Sequence, residues 1–183
     1  MNSRLSDFLF CEDGAAAAEF AMFAVILAPL LLNLGDMGYY AYTRMEVENA
    51  AQNAAQAAWA NCSASTPSQT NCDPTGTKPM TNAIDNAVKS TSLGNLVTWT
   101  NKSQLWTDTS HPYGVDTYCP DSTTNSIAYS NAATCSATTS TNAAPGTYVK
   151  ITVSYTFTPL FRGATIASLF PATLTRTTYT RLK

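Results

Sequence analysis

The run Ala15 to Leu34, AAAAEFAMFAVILAPLLLNL, holds 20 residues of which only Glu19 and Asn33 are polar or charged. As a helix rising about 1.5 Å per residue it reaches roughly 30 Å, the thickness of a bilayer hydrocarbon core. A secretory signal peptide would carry a shorter apolar region of about 7–15 residues, ending at a small-residue cleavage site before unrelated sequence. Here good helix formers continue through YYAYTRMEVENAAQNAAQAAWA, with no Pro or Gly after Gly38. One helix of about 45 residues is predicted, a membrane span running into a stalk.

Two residues of the span carry further expectations. A carboxylate inside a bilayer costs about 2.5–3.5 kcal/mol at the centre and less near the edge, so Glu19 requires a partner or a shallow position. Pro29 removes a backbone donor and frees the carbonyl of Val25, which predicts a kink or local unwinding. Gly35, Gly38 and Ala41, then Ala50, Ala51, Ala54, Ala55 and Ala58, form a small-residue surface along the stalk. It suits packing either on the chain's own domain or in an intermolecular helix bundle.

Cleavage after Gly14 would leave an ammonium on Ala15, and Glu19, fifth residue of the mature chain, would offset it. Gly14, the carboxylate five residues on and the apolar helix resemble the class III signal peptide of the type IV pilin superfamily. More closely, GAAAAEFAMFAVILAPLLLNLGDMGYYAYTRMEVENAAQNAAQAAWA is similar to the start of TadE-like proteins, the pseudopilins or minor pilins of the Tad/Flp pilus. The end, YVKITVSYTFTPLF and ATLTRTTYTRLK, resembles how that family finishes. One departure is that family leaders are usually basic, whereas this one sets Arg4 against Asp7, Glu12 and Asp13. One Arg is a weak orienting signal, so a periplasmic C-terminal side is implied by the resemblance.

What the resemblance implies is a pseudopilin cut by a prepilin peptidase between Gly14 and Ala15. It would sit in the inner membrane as a single-pass protein, or outside the cell in the assembled pilus, and act in pilus assembly, priming or tip formation. Its partners would be membrane lipid, the peptidase, the major Flp-type pilin, other pseudopilins and the inner-membrane assembly platform. The alternative is a membrane-tethered periplasmic or surface binding domain that never enters a fibre.

The expected organisation is a leader at 1–14, a transmembrane and stalk helix at 15–60, and an α+β domain at 61–183. That domain is loop-rich, carrying a small antiparallel sheet and disulfides. Charged residues are 12% of the chain, below the about 25% usual for soluble domains. The roughly 120 residues beyond the helix suffice for one modest core. Asn61 to Pro145 is rich in Ser, Thr, Asn, Ala and Gly and reads as loops with short elements. Within it, TNAIDNAVKSTSLG predicts a helix capped by Thr81, with Ala83, Ile84, Ala87 and Val88 apolar and Gly94 as its stop. LVTWTN and SQLWTD predict a hairpin around Asn101 and Lys102. YVKITVSYTF alternates, so Val149, Ile151, Val153, Tyr155 and Phe157 share a buried face and Lys150, Thr152, Ser154 and Thr156 a wet one. TLTRTTYTRL repeats the pattern after a turn at Pro159 to Gly163 and a short helix near Ile166 to Leu169. The two strands should pair antiparallel against the stalk.

Cys62, Cys72, Cys119 and Cys135 form an even set beyond the leader's Cys11, which suits an oxidising compartment. Three pairings are possible. Cys62–Cys72 and Cys119–Cys135 are favoured, since each closes a short loop within one polar segment, worth about 3 kcal/mol by chain entropy. Zinc is disfavoured by spacings far longer than the usual two to four residues.

Enzyme signatures are missing, and no catalytic residue, metal or cofactor is expected. His111 before Pro112 and Tyr113 suits an exposed turn. Asp73 and Asp121 fit turn capping better than a Ca²⁺ loop. Nucleic-acid binding lacks a Lys or Arg cluster.

Without residues 1–14, the chain loses Arg4, Asp7, Glu12 and Asp13 from its 10 bases and 12 acids and becomes formally neutral. Its halves are unequal. No acid follows Asp121, whereas Lys150, Arg162, Arg176, Arg181 and Lys183 do. Arg176 and Arg181 are therefore expected to contact neighbouring subunits or partner pseudopilins, with pairing inside one subunit as the other arrangement.

Overall fold

A computed structural model describes residues 12–62, 72, 79–99, 114–121, 126–129, 135, 145–161 and 169–182. The expected α+β class is what it shows: a long N-terminal helix, a small antiparallel sheet and two disulfides. Helix α1 spans Glu12–Asn61, 50 residues, and stays helical through Pro29. Local unwinding at Pro29 is thus not present. The proline removes a single donor, and the Asn33 side-chain amide donates to the Pro29 carbonyl at 2.7 Å, satisfying a polar group within the helix itself.

The chain divides into two compact units. One holds α1 as far as Tyr42 together with the segment Thr158–Ala172; the other holds Thr43–Phe157 and Thr173–Lys183.

In the second unit the sheet is built around β4 (Gly146–Thr156). Strand β5 (Thr173–Arg181) pairs antiparallel along one edge of β4, from Tyr148 opposite Arg181 to Thr156 opposite Thr173. Two shorter strands share the other edge. β2 (Gly114–Asp121) covers Gly146 to Lys150, and β1 (Val97–Trp99) covers Val153 to Tyr155. β3 (Ser126–Tyr129) flanks β2 as a hairpin. The alternation in YVKITVSYTF produces the predicted face: Val149, Ile151, Val153, Tyr155 and Phe157 are all buried, each contributing about 1.5–3 kcal/mol of apolar burial. In the same unit, α1 buries Val47, Ala50, Ala51, Ala54 and Ala58.

Helix α2 spans Pro79–Lys89 and buries Met80, Thr81, Ile84 and Val88. Two expectations are corrected. Thr81 is the third residue of the helix and not its cap, because Pro79 opens it: proline has no N–H to orphan and its φ is preset. The helix also stops before Gly94, since the Ser90 and Thr91 hydroxyls donate to the carbonyls of Ala87 and Val88. Gly94 instead takes φ +54°, the left-handed turn that opens a 3-10 segment Gly94–Leu96 leading into β1. Asp85 fixes α2 to β1, accepting from the Trp99 indole at 3.2 Å and pairing with Lys89 at 2.7 Å. Of the hairpin expected around Asn101, only β1 lies in the described residues, and there it pairs with β4. The helix expected near Ile166 lies outside them except for its last residue, and His111 and Asp73 lie outside them entirely.

The outer face of the sheet is not uniformly wet. Tyr118 is only 2% exposed and makes edge-on contacts to the rings of Tyr129, Tyr148 and Tyr179 at 5.7–6.2 Å between centroids. Lys150 sits 5.7 Å over Tyr179. Lys150 and Tyr148 lie on the polar side of the alternation, so the face predicted to be wet carries a second, aromatic cluster at this end. The Tyr118 hydroxyl has no hydrogen-bond partner among the described residues. Burial pushes its pKa from 10.0 up to about 12, with the charges of Asp116, Tyr179 and Tyr129 adding to the rise.

A folded-state pKa above the unfolded value means that this phenol's contribution to stability is complete below pH 10 and is lost as pH rises through 12. Phenolate absorbance of the folded protein should show a component titrating near pH 12 that disappears in Tyr118→Phe. Urea unfolding of that variant should show unchanged stability or a gain of up to about 1 kcal/mol, because an unpartnered buried hydroxyl is removed while the ring remains.

Candidate functional site

From Ala16 to Gly35 the chain itself buries no side chain of α1. Phe20 is 75% exposed, and Phe23, Val25, Ile26, Leu30 and Leu31 are likewise open. A helix apolar all round is matched to a lipid solvent. This one is long and apolar enough to cross a membrane, which fits a single-pass anchor. Gly14 and Ala15 lie in its first turn, so the peptide bond expected to be cut is helical. Glu19 is on the exposed surface one turn further, and Pro29 lies ten residues beyond it in the same lipid-matched segment.

The apolar stretch ends at a buried acid. Asp36 is 1% exposed, and its Oδ1 accepts the backbone N–H groups of Leu160 at 2.9 Å and Phe161 at 3.4 Å. The segment connecting β4 to β5 is thereby held on α1. The segment passes close to the helix at Gly35, where a Cβ would stand in ordinary contact, 3.5 Å from the Phe161 ring. One turn along, Tyr40 stacks on Phe170 at 4.6 Å and 16°. Sequence reasoning missed Asp36. Its signal was an acid at the border of an apolar helix, and its partner lies 124 residues away.

In the other unit, Glu46 accepts from the N–H and hydroxyl of Ser92 at 3.0 and 2.8 Å. Arg176 Nε lies 3.0 Å from Glu48 Oε2, a charge contact without hydrogen-bond alignment. Both groups line a surface cleft of about 400 Å³ with Arg44, Met45 and Asn49. The pair is partly exposed and contributes at most about 1 kcal/mol. Arg176 is therefore engaged within its own subunit. Arg181 is five residues along an alternating strand and so projects from the opposite face. The structure does not bring these two arginines together.

Of the small residues along the stalk, Ala50, Ala51, Ala54 and Ala58 are buried within the second unit, Ala55 is half-buried, and Gly35, Gly38 and Ala41 are exposed. Two disulfides, Cys62–Cys72 and Cys119–Cys135, have Cα separations of 4.6 and 5.6 Å. Among the described residues no group of three His, Cys, Asp or Glu side chains could hold a metal ion.

Residues 14–56 match the family model described as TadE-like protein. This segment covers the first turn around Gly14, the lipid-matched part of α1 and most of its stalk. No curated protein and no solved structure matches the chain.

Asp36→Ala should free the segment it holds. Hydrogen exchange at the Leu160 and Phe161 amides of the detergent-solubilised protein should rise by at least about tenfold, the equivalent of 1.4 kcal/mol. Asp36→Asn, which keeps a carbonyl acceptor, should fall between it and the parent.

Proposed function

We propose that this TadE-like chain is a pseudopilin of a Tad/Flp-type pilus, matured by a prepilin peptidase acting after Gly14 and working in assembly, priming or tip formation. The observation that carries the reading is the coincidence of the family match, which begins at Gly14, with a helix that buries no side chain from Ala16 to Gly35 among the described residues. A surface of that kind serves both as a membrane anchor and, after extraction from lipid, as the surface by which subunits pack.

Glu19 supplies the electrostatic step. Cleavage creates an ammonium on Ala15, and the two opposite charges lie one helical turn apart or meet between neighbouring subunits. Paired, they avoid the cost of about 2.5–3.5 kcal/mol for each isolated charge at the bilayer centre. The peptidase must open the first turn of α1, whose leading N–H groups have no intrahelical partner and which frays readily. In this reading residues 1–14 are the leader, 15–60 the membrane and stalk helix, and 61–183 a periplasmic domain carried outside the cell with the fibre. The partners are the peptidase, the major Flp-type pilin, other pseudopilins and the inner-membrane platform.

Arg181, exposed on the outer face of β5, is the better of the two arginines for a contact between subunits. Arg176→Glu would place an acid against Glu48 and disturb the subunit itself.

Three measurements test the proposal. The mature N-terminus should begin at Ala15, and Gly14→Ile should accumulate at precursor mass; a Gly14→Ile protein of mature mass would exclude this cleavage. Glu19→Ala should be cut normally yet be depleted from sheared pili, and normal piliation would reduce the carboxylate to an interfacial residue. Association between purified subunits should weaken from low salt to about 0.5 M, where screening shortens to a few ångströms, and Arg181→Glu should weaken it at low salt only.

A further inference from the structure

We propose that the β4–β5 connection is a second membrane contact, in which Leu160, Phe161 and Leu169 seat in the interfacial layer of the bilayer where α1 leaves it. The proposal rests on the membrane-anchor reading of α1 and adds a non-helical contact to it.

Depth is set by Asp36. It lies two residues beyond Leu34, the last residue of the apolar run, and its hydrogen bonds fix Leu160 and Phe161 at that level of the helix. The Tyr40–Phe170 stack holds the returning end of the connection one turn further on, beside Leu169. The connection's described ends, Leu160–Phe161 and Leu169–Phe170, are thus held where the span leaves the bilayer, at the level of the headgroup region.

The side chains suit that medium. Leu160 is 57% exposed, Phe161 39% and Leu169 78%, and Leu34 and Met37 on the adjoining helix are open as well. Phe161 lies beside Gly35, so open apolar side chains of the connection stand next to the helix surface matched to acyl chains. Tyr39, Tyr40 and Tyr42 follow Asp36, the amphipathic ring type that gathers at membrane interfaces.

The backbone suits it too. Irregular chain near hydrocarbon is tolerated only where its N–H groups are satisfied. Pro159 has no N–H, and those of Leu160 and Phe161 are both accepted by Asp36. At the other end Phe170 is followed by Pro171, again without a donor. Among the described residues of the connection, open apolar side chains stand beside backbone positions that lack a donor or have it accepted by Asp36, and a lipid surface is the occupant suited to that combination at this depth.

The test uses the full chain with Cys11→Ser, the native disulfides retained, and one added cysteine carrying a nitroxide, reconstituted in phosphatidylethanolamine–phosphatidylglycerol vesicles. Leu160→Cys and Leu169→Cys report the connection, Leu27→Cys the span and Met45→Cys the stalk; all four positions are exposed. Collision with oxygen relative to a water-soluble nickel chelate measures depth. At 160 and 169 the ratio should be several-fold above that at 45 and below that at 27, and adding Asp36→Ala should move both sites toward the value at 45. A ratio equal to that at 45 in the parent overturns the proposal in favour of a solvated loop. Exclusion of both reagents overturns it in favour of a protein partner or a second copy. Nickel access at position 27 would overturn the anchor reading itself, and with it this inference, and is distinguishable from either failure at 160 and 169.

Discussion

Hydrocarbon offers no hydrogen-bond partner to a peptide group, so a span of the length Ala15–Leu34 can be housed there only with its backbone bonds made internally. That requirement organises the rest of the molecule. It dictates a helix regardless of Pro29, leaves the apolar side chains facing outward, and postpones all burial by the chain itself to Asp36 and beyond. From Thr43 onward the same helix obeys a different rule. Thr43, Val47, Ala50, Ala51, Ala54 and Ala58 form one buried stripe at the spacing by which a helix in water covers a single face.

Asp36 stands where the rules change. A carboxylate at the border of a lipid-matched helix would be costly alone. Taking two backbone N–H groups from Leu160 and Phe161 offsets that cost and satisfies donors that β4 leaves behind when it ends at Thr156. The charge and the orphaned amides thus solve each other's problem, and the β4–β5 connection is drawn out of the sheet unit to do so.

Features governed by local periodicity were legible in the sequence. The length of the apolar run, the alternation of Val149 to Phe157 and the short loops closed by Cys62–Cys72 and Cys119–Cys135 all depend on neighbours in the chain. What escaped depends on partners far away. The value of Asp36 is set by amides more than 120 residues on. Tyr118 is buried by rings from β3, β4 and β5, although strand alternation alone assigns Tyr148 to the wet side. Thr81 was misassigned because two legitimate helix starters, Pro79 and Thr81, compete within one turn, and the proline position is earlier.

The charge asymmetry was visible, yet its resolution was not, because alternation separates residues five apart on a strand. Arg176 falls on the same side of β5 as buried Leu174 and reaches Glu48 on the stalk, whereas Arg181 falls on the other. A consequence for assembly follows from the alanines. Their smooth surface suits close helix packing, but the stripe Ala50 to Ala58 is already covered by the chain's own domain. Using it between subunits would require stripping the domain from its stalk and exposing Val47 and the faces packed with it. Among the described residues, the part of α1 with no buried face is the stretch from Ala16 to Gly35, where Glu19 is the one acidic side chain. Any helix packed there would meet an apolar surface interrupted by a single carboxylate, which hydrocarbon cannot solvate.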